Sequence, residues 1–240
     1  MMKKRCLCLG LMIVFCSAAA TATLAQGKTI LALADQYSIA LKKFQATKTR
    51  SSVEGVVHKG KAVAEKLEEI ESLSDADYAL LKKKMKGFTV NREEILFIEP
   101  ESKFFANLAA THGTRADVAF FSLMGELRPN DVWPAYSEQQ SDVTGCTKYG
   151  NGSLTRLYGK ILQFRKTYPK AYIPDIEKES TAILDEFISN NCACGNRNSV
   201  IREFESFLKA FPKDKKARQI RNRLSTIKKS KDFRFHCQSG

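Results

Sequence analysis

Histidine is scarce. The chain has three, His58, His112 and His236, and none stands in a pattern that supports hydrolysis. A nucleophile needs a base within hydrogen-bonding reach, yet there is no Gly-x-Ser-x-Gly elbow and no His-Glu-x-x-His helix. No Cys-x-x-Cys pair occurs and no Cys-x-x-Cys-His run, which removes the common dithiol and haem-attachment signatures. A convincing series of alternating strands is missing, and so is any nucleic-acid-binding motif. What remains for an enzyme is a pair of carboxylates, as in wall hydrolases. Glu99, Glu101 and Glu126 lie near aromatic residues in mid-chain. Acidic residues beside aromatics are far more often plain helix surface, so the sequence leans away from catalysis and implies no cofactor.

The N-terminus is rich where the rest is poor. Lys3, Lys4 and Arg5 precede an apolar run from Cys6 to Ala20, and Thr23-Leu24-Ala25 places small residues where a signal peptidase reads. Residues 1–25 are therefore expected to be an export signal, with no membrane-spanning segment left after cleavage. Cys16 raises a lipoprotein alternative, against which Phe15 stands where a small residue is needed. Three of seven cysteines fall in the signal. The other four, Cys146, Cys192, Cys194 and Cys237, are an even set in an exported chain and predict two disulfides. Cys192 and Cys194 are too close for an unstrained mutual bond. One is expected to pair with Cys146 and the other with Cys237, and the spacing does not choose which. A zinc site from Cys192, Cys194, Cys237 and His236 is the competing reading.

The apolar residues Ile30, Leu33, Ala34, Tyr37, Leu41 and Phe44 recur at helical spacing, as do Val63, Leu67, Ile70 and Leu73. Residues 47–60 have weak periodicity and read as a loop or a frayed start. Ser74 predicts the cap of a short helix ending near Gly87. Residues 88–98 fit a strand pair or a helix from Asn91. Pro100 suits the first turn of a helix carrying Phe104, Phe105, Leu108 and Ala109, with Gly113 closing it. Thr114 then caps a helix with Val118, Phe121, Leu123 and Leu127 inward, stopped by Pro129. The expected divisions are an N-terminal helical region at 26–128, an irregular loop at 129–152, and a hairpin region at 153–240.

That last region contains one segment twice. Leu157 to Lys170 aligns without a gap on Val200 to Lys213, at a constant offset of 43 residues. Phe164, Tyr168, Pro169 and Lys170 match Phe207, Phe211, Pro212 and Lys213. Each copy predicts an amphipathic helix, an aromatic-Pro-Lys turn and a second helix. These helix ends resemble those of tetratricopeptide-like repeats in bacterial envelope proteins, over about a third of the processed chain. The resemblance implies a mainly α fold of stacked hairpins and a protein-binding scaffold, adaptor or inhibitor, with no catalytic residues to carry over.

Two surfaces are the candidate partner sites. Trp133, Tyr136, Gln139 and Gln140 form a polar-aromatic cluster in the expected loop. The chain carries +13, or +10 without the signal, and residues 205–235 hold +8 of it. Within that stretch Ala217, Ile220, Leu224 and Ile227 form an apolar stripe, leaving Arg218, Arg221 and Arg223 for a positive face. Such a face fits an acidic envelope or secreted protein, or an anionic envelope polymer; DNA is a poor fit for a periplasmic or secreted protein.

Overall fold

The computed structural model describes residues 9–70, 73–92, 97–141, 144–230 and 237, and for residues 9–26 the backbone alone. The chain is mainly helical, at 64%, with few strands. Two compact units arise, Met1–Glu101 and Ser102–Gly240. The division falls at 101/102, and among the described residues no helix is long and apolar enough to cross a membrane.

In the first unit, helix α1 (Leu9–Ala46) continues as one rod through the expected signal and its cleavage point. It buries Ile30, Ala34, Tyr37, Leu41 and Phe44 of the stripe read from the sequence, and leaves Leu33 half-buried. Helix α2 (Glu54–Leu67) starts within the stretch expected to be loop, because Val56, Val57 and Gly60 supply a face that packs on α1. Gly60 is required there. The Phe88 ring lies against its backbone, and a Cβ would come within 2.1 Å of that ring. Helix α3 (Asp75–Lys84) starts at Ser74, whose Oγ accepts the Asp77 N–H at 3.1 Å. Strands β1 (Phe88–Asn91) and β2 (Phe97–Pro100) pair antiparallel, Phe88 opposite Pro100, which decides for the strand pair. Pro100 closes β2 rather than opening a helix, a position where its missing N–H costs nothing.

In the second unit, Gly113 separates α4 (Ser102–His112) from α5 (Arg115–Leu127). Thr114 and Asp117 form a full capping box. Val118 is 41% exposed, not inward, and Phe120 takes the core position beside Phe121. The expected irregular loop contains a hairpin, β3 (Ser137–Gln139) with β4 (Gly145–Thr147). Then come α6 (Ser153–Thr167), α7 (Ile173–Ile188), α8 (Arg197–Ala210) and α9 (Ala217–Lys229). α6 packs on α5, α7 and α8, and α9 on α7 and α8.

The duplicated segment folds the same way twice. Tyr168 and Phe211 end their helices at φ −129°, ψ 66° and φ −128°, ψ 57°. The Tyr168 N–H donates to the Phe164 carbonyl at 2.8 Å, and the Phe211 N–H to the Phe207 carbonyl at 2.8 Å. Phe164 and Phe207 are both buried. Their rings meet Tyr168 and Phe211 at 5.3 and 5.1 Å. The copies shift register only after the turn. Ile176 and Ile183 correspond in burial to Ile220 and Ile227, an offset of 44, so the second turn is longer by one residue.

Candidate functional site

The link between the hairpins is braced first by backbone pairing. Thr147 on β4 bridges Ala193 in parallel, with the Cys194 N–H donating to the Thr147 carbonyl at 3.0 Å. That alignment sets Cys194 beside Cys146, and the two form a disulfide with Cα atoms 5.1 Å apart. Cys192 bonds Cys237 at 4.3 Å between Cα atoms. The alternative left open by spacing is thereby decided. All four thiols are consumed, and His236 of the zinc reading lies outside the described residues. Among the described residues no cluster of His, Cys, Asp and Glu is arranged to hold a metal. Two disulfides mark a chain that folds outside the reducing cytoplasm.

An open cavity of about 500 Å³ lies against the Cys192–Cys237 bond, lined by Gln140, Asp185, Glu186, Asn190 and Asn191 among others. Glu186 and Asn190 are engaged with each other and with residues behind the wall. Glu186 accepts from the Thr147 hydroxyl at 2.6 Å and from the Asn190 amide, and its carbonyl accepts from the Tyr149 hydroxyl at 2.7 Å. Among the described residues that line the cavity no nucleophile and base are in register.

The aromatic cluster separates into parts. Tyr136 is 2% exposed, so it is a core residue and not a recognition side chain. Burial pushes its phenol above the ordinary range. Trp133 is half-buried and lies over Gly145, where a Cβ would come within 2.8 Å of its ring. Gln139 and Gln140 are exposed, and Gln140 reaches the Cys146 sulfur at 3.3 Å.

The basic helix α9 buries Ala217, Ile220, Leu224 and Ile227, as its spacing predicts. Arg218 is exposed, while Arg221 is exposed but donates to the Pro212 carbonyl at 2.8 Å. Arg223 departs from the expected free face. It is half-buried, donates to the Asn190 carbonyl and to Asn191 Oδ1 (3.0 Å), and sits 5.9 Å over the Phe204 ring. Burial lowers its pKa from the ordinary value. Its spacing, three after Ile220 and four before Ile227, already puts it at the stripe. A cation there meets the carbonyl end of α7.

Glu203 is the polar residue the sequence reading missed. It is 1% exposed on α8, on the stripe of Val200 and Phe207. Its carboxylate accepts the N–H groups of Gly150 (2.9 Å), Gly152 (2.8 Å) and Thr155 (3.2 Å) and the Thr155 hydroxyl (3.0 Å). Gly152, at φ +73°, has no side chain to cap α6, so a glutamate from the next hairpin caps it instead. Of the carboxylates considered for catalysis, Glu126 is bound by Arg156 (3.0 Å) and Lys160. The Lys160 contact, more than any other cause, holds its pKa below the usual value. Glu99 and Glu101 belong to the first unit.

No protein-family model matches this chain, and neither a curated protein nor a solved structure matches it. The reading of its function therefore rests on the geometry just described.

Proposed function

We propose that this chain is an exported, periplasmic or secreted, non-catalytic scaffold whose hairpins are stacked in a tetratricopeptide-like manner and bind another envelope or secreted protein. The observation that carries the reading is the repeated turn: one backbone geometry at Tyr168 and Phe211, with the buried Phe and the Pro-Lys turn kept between copies and most outward residues before the turn changed. Repetition of a backbone with variation of its surface is how a solenoid builds a binding face. The basic n-region, the apolar run and the small residues before Ala25 support export, as do the two disulfides. No observation favours the alternative, an envelope enzyme or its accessory factor. Glu126, held low by two cations, is unsuited to the raised pKa of a general acid.

Val118 and Ile173 are the natural contact points. They are 41% and 46% exposed, and their neighbours in the chain are linked, the Tyr172 hydroxyl donating to Asp117 Oδ1 at 2.6 Å. A photo-crosslinking residue at either position, in the exported protein, is expected to capture one envelope or secreted protein that then binds the purified chain directly. The same crosslinker at exposed Leu80 of the first unit is the control. Capture from Leu80 but from neither Val118 nor Ile173 would refute the reading.

A further inference from the structure

The two helical turns also carry an electrostatic surface. We propose that the turn end of the hairpins is a docking surface for a linear, phosphate-bearing polyanion. Lys166 and Lys170 flank the first turn and Lys213, Lys215 and Arg218 the second, and all five are exposed. None of them has an ion-pair partner among the described residues. The acid of the second turn, Asp214, is directed elsewhere: its Oδ2 accepts the Tyr158 hydroxyl at 2.7 Å and its Oδ1 the Lys216 N–H at 2.8 Å. Asp214 makes no ion pair with these cations among the described residues, and the second turn keeps a net positive charge, Lys213, Lys215 and Arg218 against one carboxylate.

The arrangement is stepped. Phe211 packs on Tyr158 at 5.2 Å, so the second turn lies beside a residue ten positions before Tyr168 on α6. At 1.5 Å per helical residue the two cation groups are offset by roughly 15 Å along that axis. A flexible chain of closely spaced charges can follow such a step and gains by releasing its counterions. A folded acidic protein needs an apolar anchor at the centre of its interface. Among the described residues of this unit the large exposed apolar ones, Val118, Val132 and Ile173, all precede α8, and α9 keeps its apolar stripe buried. Ammonium groups, four of the five cations, take phosphate oxygens from many directions and make no demand on planar geometry.

The inference is independent of the scaffold reading, because a titration with a defined polymer reads the turn end whether or not a protein occupies Val118 and Ile173. The processed protein is titrated with linear polyphosphate, alongside a Lys213→Gln, Lys215→Gln, Arg218→Gln triple variant. A control triple, Lys59→Gln, Lys82→Gln, Lys83→Gln, removes equal charge from the first unit. Circular dichroism melts confirm that both fold. The expected result is at least a tenfold loss for the turn variant and less than a twofold loss for the control. Five contacted charges also predict roughly a hundredfold fall in affinity between about 50 and 200 mM salt. Equal losses in the two triples would overturn the proposal, reducing it to net charge. Equally tight binding of poly-glutamate of matched charge would overturn it in favour of an acidic polypeptide.

Discussion

The first hairpin, α6–α7, and the second, α8–α9, share a backbone turn with its exposed Pro and Lys and differ most in the charge of their second helices. α7 carries five acidic residues and one lysine, a charge of −4, whereas α9 carries five cations and no acid, +5. The same helix position holds Lys160 in one copy and Glu203 in the other, 43 residues apart. Each answers the terminus of an earlier helix. Lys160 meets Glu126 in the last turn of α5, and Glu203 meets the N–H groups that open α6. The buried aromatic residues and the turn keep the backbone the same. The polar positions are free to change, and they change to complement a neighbour.

The strongest way to break this comparison is through its core. Phe207→Ala should cost about 3–5 kcal/mol in a urea titration. Phe164→Ala should cost somewhat less, because Phe164 is 6% exposed and Phe207 is fully buried against Phe187 at 4.5 Å. The opposite order would mean that the copies are not packed as described. Next come the disulfides, both anchored in the link between the hairpins. Their loops span 48 and 45 residues. Loop entropy gives about 4 kcal/mol for removing either bond. Mass mapping of the processed protein should find Cys146 joined to Cys194 and no free thiol.

Transposing the divergent residue separates the two environments. Glu203→Lys should cost about 3 kcal/mol or more, since four donors lose a buried acceptor and a cation replaces it. Lys160→Glu, at a side chain 40% exposed, should cost no more than about 1 kcal/mol. Equal costs would remove the argument that each copy adapts to its neighbour. The smallest effect is a pH dependence. Glu126 has a lowered folded pKa, chiefly from its Lys160 hydrogen bond. Its contribution to stability is present above the ordinary carboxylate range and is lost as pH falls through the lowered value. The stability difference between wild type and Glu126→Gln should therefore shrink on acidification, and growth of that difference would contradict the assignment.

Much of this was legible in the sequence where one signal dominated. Ser74 and Thr114 cap their helices, and the α9 stripe is buried as its spacing demands. Phe120 was not legible, because Val118, Ala119, Phe120 and Phe121 are apolar in succession and periodicity cannot choose among them. The β3–β4 hairpin was hidden for a different reason. Ser137-Glu-Gln and Gly145-Cys-Thr show no sustained alternation, and the strands are held by a disulfide and a bridge to Ala193 that lie far away in sequence. Glu203 and Arg223 sat on apolar stripes in plain view. Spacing marks them as inward, but the groups that make a charge acceptable there come from other elements.

Amide exchange at Tyr168 and Phe211 tests the central claim most directly, that one turn occurs twice. Each N–H is bonded to the carbonyl of a buried Phe four residues back. Comparable protection of the two amides, well above that of Lys170 and Lys213, is the predicted result. A Phe211 amide exchanging as fast as Lys213 while Tyr168 stays protected would contradict it.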